Sequence, residues 1–247
     1  MIDALQPPPQ SGLIREARFI FEFPLLILNA WHLARQPRGH GQPVLVIPGY
    51  NAGDGSTAVL KRYLRFLGYR VSGWRLGKNS GDVADLLPRV LKRILAIARR
   101  TQQPVRLIGW SLGGYIAREA AREFPELVDR VVTLGTPVVG GPKYTLAAES
   151  YRRRGIDVDA IAADVAARNQ VSLVTPVTAI YSRADGIVAW EACIDHNGLN
   201  VEHVEVHTTH MGFGFSSAVY KIIAQRLAEN HDRPDAPPRL RRRRSRG

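Results

Sequence analysis

Apolar residues fall along the chain in two alternating patterns. An unbroken apolar run with β-branching, Val44-Leu45-Val46-Ile47, bounded by Pro43 and Pro48-Gly49, predicts a buried strand, and further short strands are read at residues 69–74, 105–108, 128–134, 177–181 and 201–206. Between them, apolar positions recur at helical spacing. Residues 82–100 show it most clearly, through Val83, Leu86, Leu87, Val90, Leu91 and Ile94. Further helices are predicted over 112–124 and 216–227, and over a segment ending at Leu67 before Gly68, with Ser56 or Thr57 as its cap. Strands alternating with helices predict an α/β fold, a mostly parallel sheet of about six strands covered on both faces. Residues 140–170 break the alternation. They are rich in alanine, carry Arg152, Arg153 and Arg154 in a row, and read as a helical insertion, either a lid or an ordinary crossover.

The N-terminal stretch changes this picture. Residues 1–12 read as a polar leader without the basic start and small-residue cleavage site of a signal peptide. Residues 19–31, FIFEFPLLILNAW, are strongly apolar but too short to span a bilayer, and Glu22, Pro24 and Asn29 interrupt them. We expect a helix packed on the core. The alternative is a membrane-surface anchor, since Arg15, Arg18 and Arg35 flank the segment. One α/β domain then runs over residues 13–230.

Composition is globular, with 45% hydrophobic and 23% charged residues. Cys193 is the only cysteine, so no disulfide framework exists, and a cytoplasmic location fits, with membrane association as the alternative. The net charge of +12 is uneven: six arginines, Arg239, Arg241 to Arg244 and Arg246, fall in the last nine residues, behind a Pro-rich stretch. Residues 231–247 therefore read as a disordered, solvated tail rather than as a contact to nucleic acid or acidic membrane.

The chemistry concentrates in Gly109-Trp110-Ser111-Leu112-Gly113, a G-x-S-x-G string between a predicted strand and a predicted helix. A serine at such a turn needs glycines two residues to either side, because side chains there would clash. It also sits at a helix N-terminus, where free N–H groups favour developing negative charge. Ser111 is the candidate nucleophile. It needs a base, and His210, after the last strand and before the last helix, is favoured over His207. The other histidines read as surface or loop residues. Asp185, just past the strand ending at Tyr181, is the candidate acid, ahead of Asp195. The backbone N–H groups of Tyr50, in Pro48-Gly49-Tyr50, and of Leu112 are the candidate oxyanion donors. Phosphate-loop and dinucleotide readings fail: Gly53-Asp54-Gly55 lacks the Lys-Ser/Thr step, and no G-x-G-x-x-G follows a strand.

The strings VLVIPGY, RLIGWSLGG, YSRADGIV and HTTHMGFG, in that order over about residues 43–227, resemble the bacterial α/β-hydrolases related to lipases and esterases. The resemblance implies a two-step acyl transfer on a small-molecule or lipid-like ester, with no metal or organic cofactor. It differs in having Pro48-Gly49 where many relatives carry His-Gly, and in a sheet shortened at the N-terminus, residues 14–34 being helical instead. The rival readings are an acyltransferase with the same triad, a haloperoxidase-like activity, and a catalytically idle fold used for binding.

Overall fold

The structure is a computed structural model that describes residues 5–229. Six strands, β1 (Pro43–Ile47), β2 (Arg70–Gly73), β3 (Val105–Trp110), β4 (Val128–Leu134), β5 (Val177–Tyr181) and β6 (Val201–Glu205), form one sheet in the order β2-β1-β3-β4-β5-β6. Every pairing is parallel. Strand β1 is apolar throughout because both faces are covered. Val44 and Val46 of β1 pack into one core cluster, Leu45 and Ile47 into the other. Successive side chains of a strand point to opposite faces, so a doubly covered strand reads as an unbroken apolar run.

The helices are α1 (Gly12–Glu16), α2 (Glu22–Leu28), α3 (Ala30–Ala34), α4 (Ala58–Phe66), α5 (Val83–Thr101), α6 (Leu112–Glu123), α7 (Ala148–Arg153), α8 (Val158–Arg168) and α9 (Ser217–Ala228). Helices α4 and α9 cover one face of the sheet; α5 and α6 cover the other. Asp82 caps α5 by accepting the Asp85 N–H, and the helix ends where Gln102 turns left-handed, at φ +54°. Thr57 occupies the N-cap of α4, but its hydroxyl donates to the Asp54 carbonyl and caps nothing.

The chain runs from β1 outward to β2, then crosses back to β3 on the other side of β1. The carboxyl ends of β1 and β3 therefore flank the point where the winding reverses, the usual place for a site in an open parallel sheet. The turn after β1 carries Tyr50 and the turn after β3 carries Ser111.

The stretch over residues 19–31 is helical and packs on the core through Leu26, the only one of these residues that is buried, so most of its apolar surface lies outside the core. The boundary expected after residue 12 falls inside α1: Gly12 opens that helix and is buried against Gly186, whose carbonyl a Cβ at Gly12 would meet at 2.5 Å. The insertion is helical, as α7 and α8, and a bridge between Thr145 and Val188 ties it to the loop after β5. The tail reading falls outside the described residues. Among the described residues no helix is long and apolar enough to cross a membrane.

Candidate active site

Ser111 caps α6 with φ +54° and ψ −125°, a backbone conformation that a side-chain-bearing residue adopts only under strain. The surroundings impose it. Strand β3 lies against the first turn of α6 so closely that a Cβ at Gly109 would come within 2.3 Å of the Gly113 carbonyl. A Cβ at Gly113 would stand 2.3 Å from the Ile47 carbonyl. The Ser111 N–H donates to the Leu134 carbonyl at 2.8 Å, and the Thr136 hydroxyl donates to the Ser111 carbonyl at 2.9 Å. These contacts lock the turn onto the end of β4.

Asp185 and His210 meet beside Gly135, which lies between the Leu134 and Thr136 that hold Ser111. His210 Nδ1 lies 2.7 Å from Asp185 Oδ2. The second carboxylate oxygen, Oδ1, accepts the Ile187 and Val188 N–H groups at 2.8 Å each, which leaves Oδ2 for the imidazole. With Nδ1–H donating to Asp185, Nε2 carries the free lone pair, the tautomer a base needs. Gly135, at φ +53°, is the floor beneath the pair: a Cβ there would sit 3.0 Å from both Asp185 Oδ2 and His210 Nδ1. The Trp110 ring, next to Ser111 in the chain, lies 6.2 Å from the imidazole. Ser111 Oγ makes no hydrogen bond among the described residues; such contacts are often long before substrate arrives.

Burial works against a charged imidazole at His210. The Asp185 carboxylate, its hydrogen bond and the charge of Glu16 outweigh that penalty, and the pKa is raised above the ordinary histidine value. Cys193 is wholly buried, and burial pushes its thiol up, which removes it as a competing nucleophile.

The turn after β1 approaches the serine: a Cβ at Gly49 would lie 3.2 Å from Ser111 Cβ. The backbone N–H groups of Tyr50 and Leu112 donate to no group among the described residues. Asn79, fully buried, holds this turn, its Nδ2 donating to the Pro48 carbonyl and its own carbonyl accepting the Asn51 N–H. The Tyr50 side chain points into the insertion, where its hydroxyl pairs with Ser150 and its ring packs on Tyr151.

The runners-up are placed elsewhere. Asp195 forms a buried ion pair with Arg118 at 2.6 Å and accepts two backbone N–H groups of its own loop. His207 is exposed. His203 is on β6 rather than in a loop, and its ring accepts the Asp195 N–H.

Sequence reasoning missed a buried acid, Glu16 of α1. Its Oε1 accepts the N–H groups of Gly186 at 2.7 Å and His210 at 3.0 Å, and its Oε2 accepts the Met211 N–H at 2.7 Å. One carboxylate thus ties the loop bearing Asp185 to the loop bearing His210. Glu22 adds a contact, accepting the Thr208 hydroxyl at 2.7 Å. No local sequence signal marks these roles, because the partners are backbone groups far along the chain.

Comparison with known proteins agrees with this fold. The signature of the alpha/beta hydrolase fold matches residues 77–171. Lipase B of Aspergillus fumigatus superimposes with a TM-score of 0.58 at 17% identity, over 78% of this chain and 54% of that one. A metagenome-derived lipolytic enzyme gives 0.60 at 16% identity, over 78% and 94%. The biotin biosynthesis bifunctional protein BioHC of Teredinibacter turnerae is 42% identical over 60 residues, 24% of this chain and 10% of that protein. The chain thus spans about half the length of the fungal lipase and a tenth of the biotin protein. It is a protein of the α/β-hydrolase fold, with lipases and esterases among its structural neighbours.

Proposed function

We propose that this protein is a serine hydrolase that cleaves carboxylic esters through an acyl-enzyme. The observation that carries the reading is Ser111, held at φ +54° at the end of β3, with the Asp185–His210 pair across Leu134, Gly135 and Thr136 from it. Ser111 Oγ attacks the ester carbonyl carbon while His210 Nε2 takes its proton. The carbonyl oxygen becomes an oxyanion that accepts the Tyr50 and Leu112 N–H groups. Collapse breaks the bond to the alkoxy oxygen, which leaves as the alcohol with the proton from His210. Water, deprotonated by His210, then attacks the acyl-enzyme, and the acid departs as Ser111 recovers its proton. Asp185 holds the imidazole through Nδ1 and stabilises the imidazolium. Lipolytic structural neighbours support an ester substrate, and the helical insertion against Tyr50 gives a wall on which an acyl group can rest.

The test is fluorophosphonate labelling, followed by turnover of p-nitrophenyl esters of increasing chain length. Wild type should label at Ser111. Ser111→Ala and His210→Ala, still folded, should not label and should lose about 10⁴-fold or more in kcat. Absence of labelling in folded wild type would overturn the reading.

A further inference from the structure

Nine of the fifteen large apolar side chains exposed among the described residues lie between Leu13 and Trp31. Ile14, Ile20, Phe21, Ile27, Leu28 and Trp31 are each at least 60% exposed. Soluble surfaces rarely gather so many such side chains in one stretch without a partner. The polar residues of the stretch are sorted by sign. Its only acids, Glu16 and Glu22, turn inward onto the backbone of the His210 loop and onto Thr208. Arg15, Arg18, Arg35 and Arg38 all remain exposed. The outer surface is therefore apolar and cationic, with its anions consumed inside.

We propose that residues 12–35 form a docking surface for an anionic lipid membrane. The charge pattern selects this occupant: apolar side chains enter the boundary between headgroups and acyl chains while the flanking arginines meet lipid phosphates. A second copy of the chain would bring the same cations face to face. The segment is fixed to the site side of the fold. Glu16 and Glu22 hold it to the histidine loop, and the Phe19 and Phe23 rings lie 6.0 and 6.2 Å from Phe215. Docking sets the loop carrying His210 beside the bilayer, so an apolar substrate reaches the site without crossing water. The surface itself does not depend on the catalytic reading.

The experiment is co-flotation of the full chain with vesicles of phosphatidylcholine alone or with about one third phosphatidylglycerol. Wild type should float with the anionic vesicles. The double variant Phe21→Ser/Leu28→Ser removes two outward side chains, 70% and 76% exposed, and should lose partition by at least about tenfold at unchanged Tm. Arg15→Gln/Arg18→Gln should weaken binding to anionic vesicles while leaving the apolar side chains in place. Failure of folded wild type to float would overturn the proposal. So would flotation of the Phe21→Ser/Leu28→Ser variant equal to wild type, which would assign the binding to the arginine-rich C-terminal residues. A wild-type dimer that this variant dissolves, without flotation, would assign the surface to a second copy. Because partition is read without turnover, each of these failures leaves the triad reading standing.

Discussion

Replacing Glu16 by Gln tests whether a residue outside the proposed triad sets its geometry and its charge. Glutamine keeps one oxygen, enough for the Gly186 and His210 N–H groups that share Oε1. Its NH2 then faces the Met211 N–H that Oε2 accepted at 2.7 Å, donor against donor. Hydrogen bonds to a charged acceptor contribute about 1.5–3 kcal/mol each, and a stranded buried donor costs about 1–3 kcal/mol. Losing one bond and weakening two gives about 2–4 kcal/mol, or roughly 5–12 °C in Tm for a chain of this size. Loosened loops should lower kcat/KM roughly 10- to 100-fold. The charge adds a second signature. Glu16 is one of the groups that raise the His210 pKa, the other being Asp185, and both oppose the effect of burial. Without its charge the imidazole gives up its proton more readily. Since the base form is the active one, the acidic limb of the kcat/KM profile should move to lower pH. The assays are thermal unfolding and a pH profile on one p-nitrophenyl ester. A limb that stays in place while Tm falls would refute the electrostatic role. Unchanged Tm and unchanged kcat/KM would refute the clamp.

Two further outcomes follow from the same region. Gly135→Ala must place a methyl 2.7 Å from the Phe213 ring and 3.0 Å from both partners of the Asp185–His210 pair, at φ +53°. It should cost about 2–4 kcal/mol and most of the activity, and full activity at wild-type Tm would contradict the packing. His210 itself should leave a pH signature on stability. Its raised folded pKa means that the folded chain binds the proton more tightly than the unfolded chain. That stabilisation is fully present below the ordinary value of about 6.5 and fades as pH rises through the folded value. The Tm difference between wild type and His210→Gln should therefore be larger at about pH 5.5 than at about pH 8.5. A difference that is flat or grows with pH would refute the sign.

The alternation of strands and helices could be read from residue types because each central strand is covered on both faces and each covering helix buries one stripe. The observed bounds of β4 and β5 are the ones read from the sequence, residues 128–134 and 177–181. The elbow was legible for a different reason: its backbone conformation forbids side chains at Gly109 and Gly113, and a glycine requirement is written in the sequence. Gly135 obeys the same rule, but what it clears is the Asp185–His210 pair, contributed by loops 50 or more residues later. Spacing along the chain says nothing of that. Asn79 and Glu16 are harder still. Each satisfies backbone groups brought near only by the finished fold, and a backbone N–H has no residue type to betray it.

The N-terminal stretch shows where pattern reading itself breaks down. Periodicity assumes that apolar residues mark the buried face of an element. Here apolar residues occupy nearly every position, so no face can be singled out, and apolar density does not mean burial. The fold inverts the assignment. Leu26 and Leu33 pack on the core, the two acids point inward, and most of the large apolar side chains point out. Inward acids are sensible only if they have partners: Glu16 accepts N–H groups of the loops that carry Asp185 and His210, and Glu22 accepts the Thr208 hydroxyl. The acids that look like interruptions of an apolar helix are thus its attachment to the fold, and the apolar residues that look like core are what remains available to a partner. Substituting Glu16 should disturb the site while leaving the outer apolar surface chemically intact; substituting Phe21 and Leu28 should do the reverse. Opposite responses of turnover and vesicle partition to these two changes are what this inside-out arrangement requires.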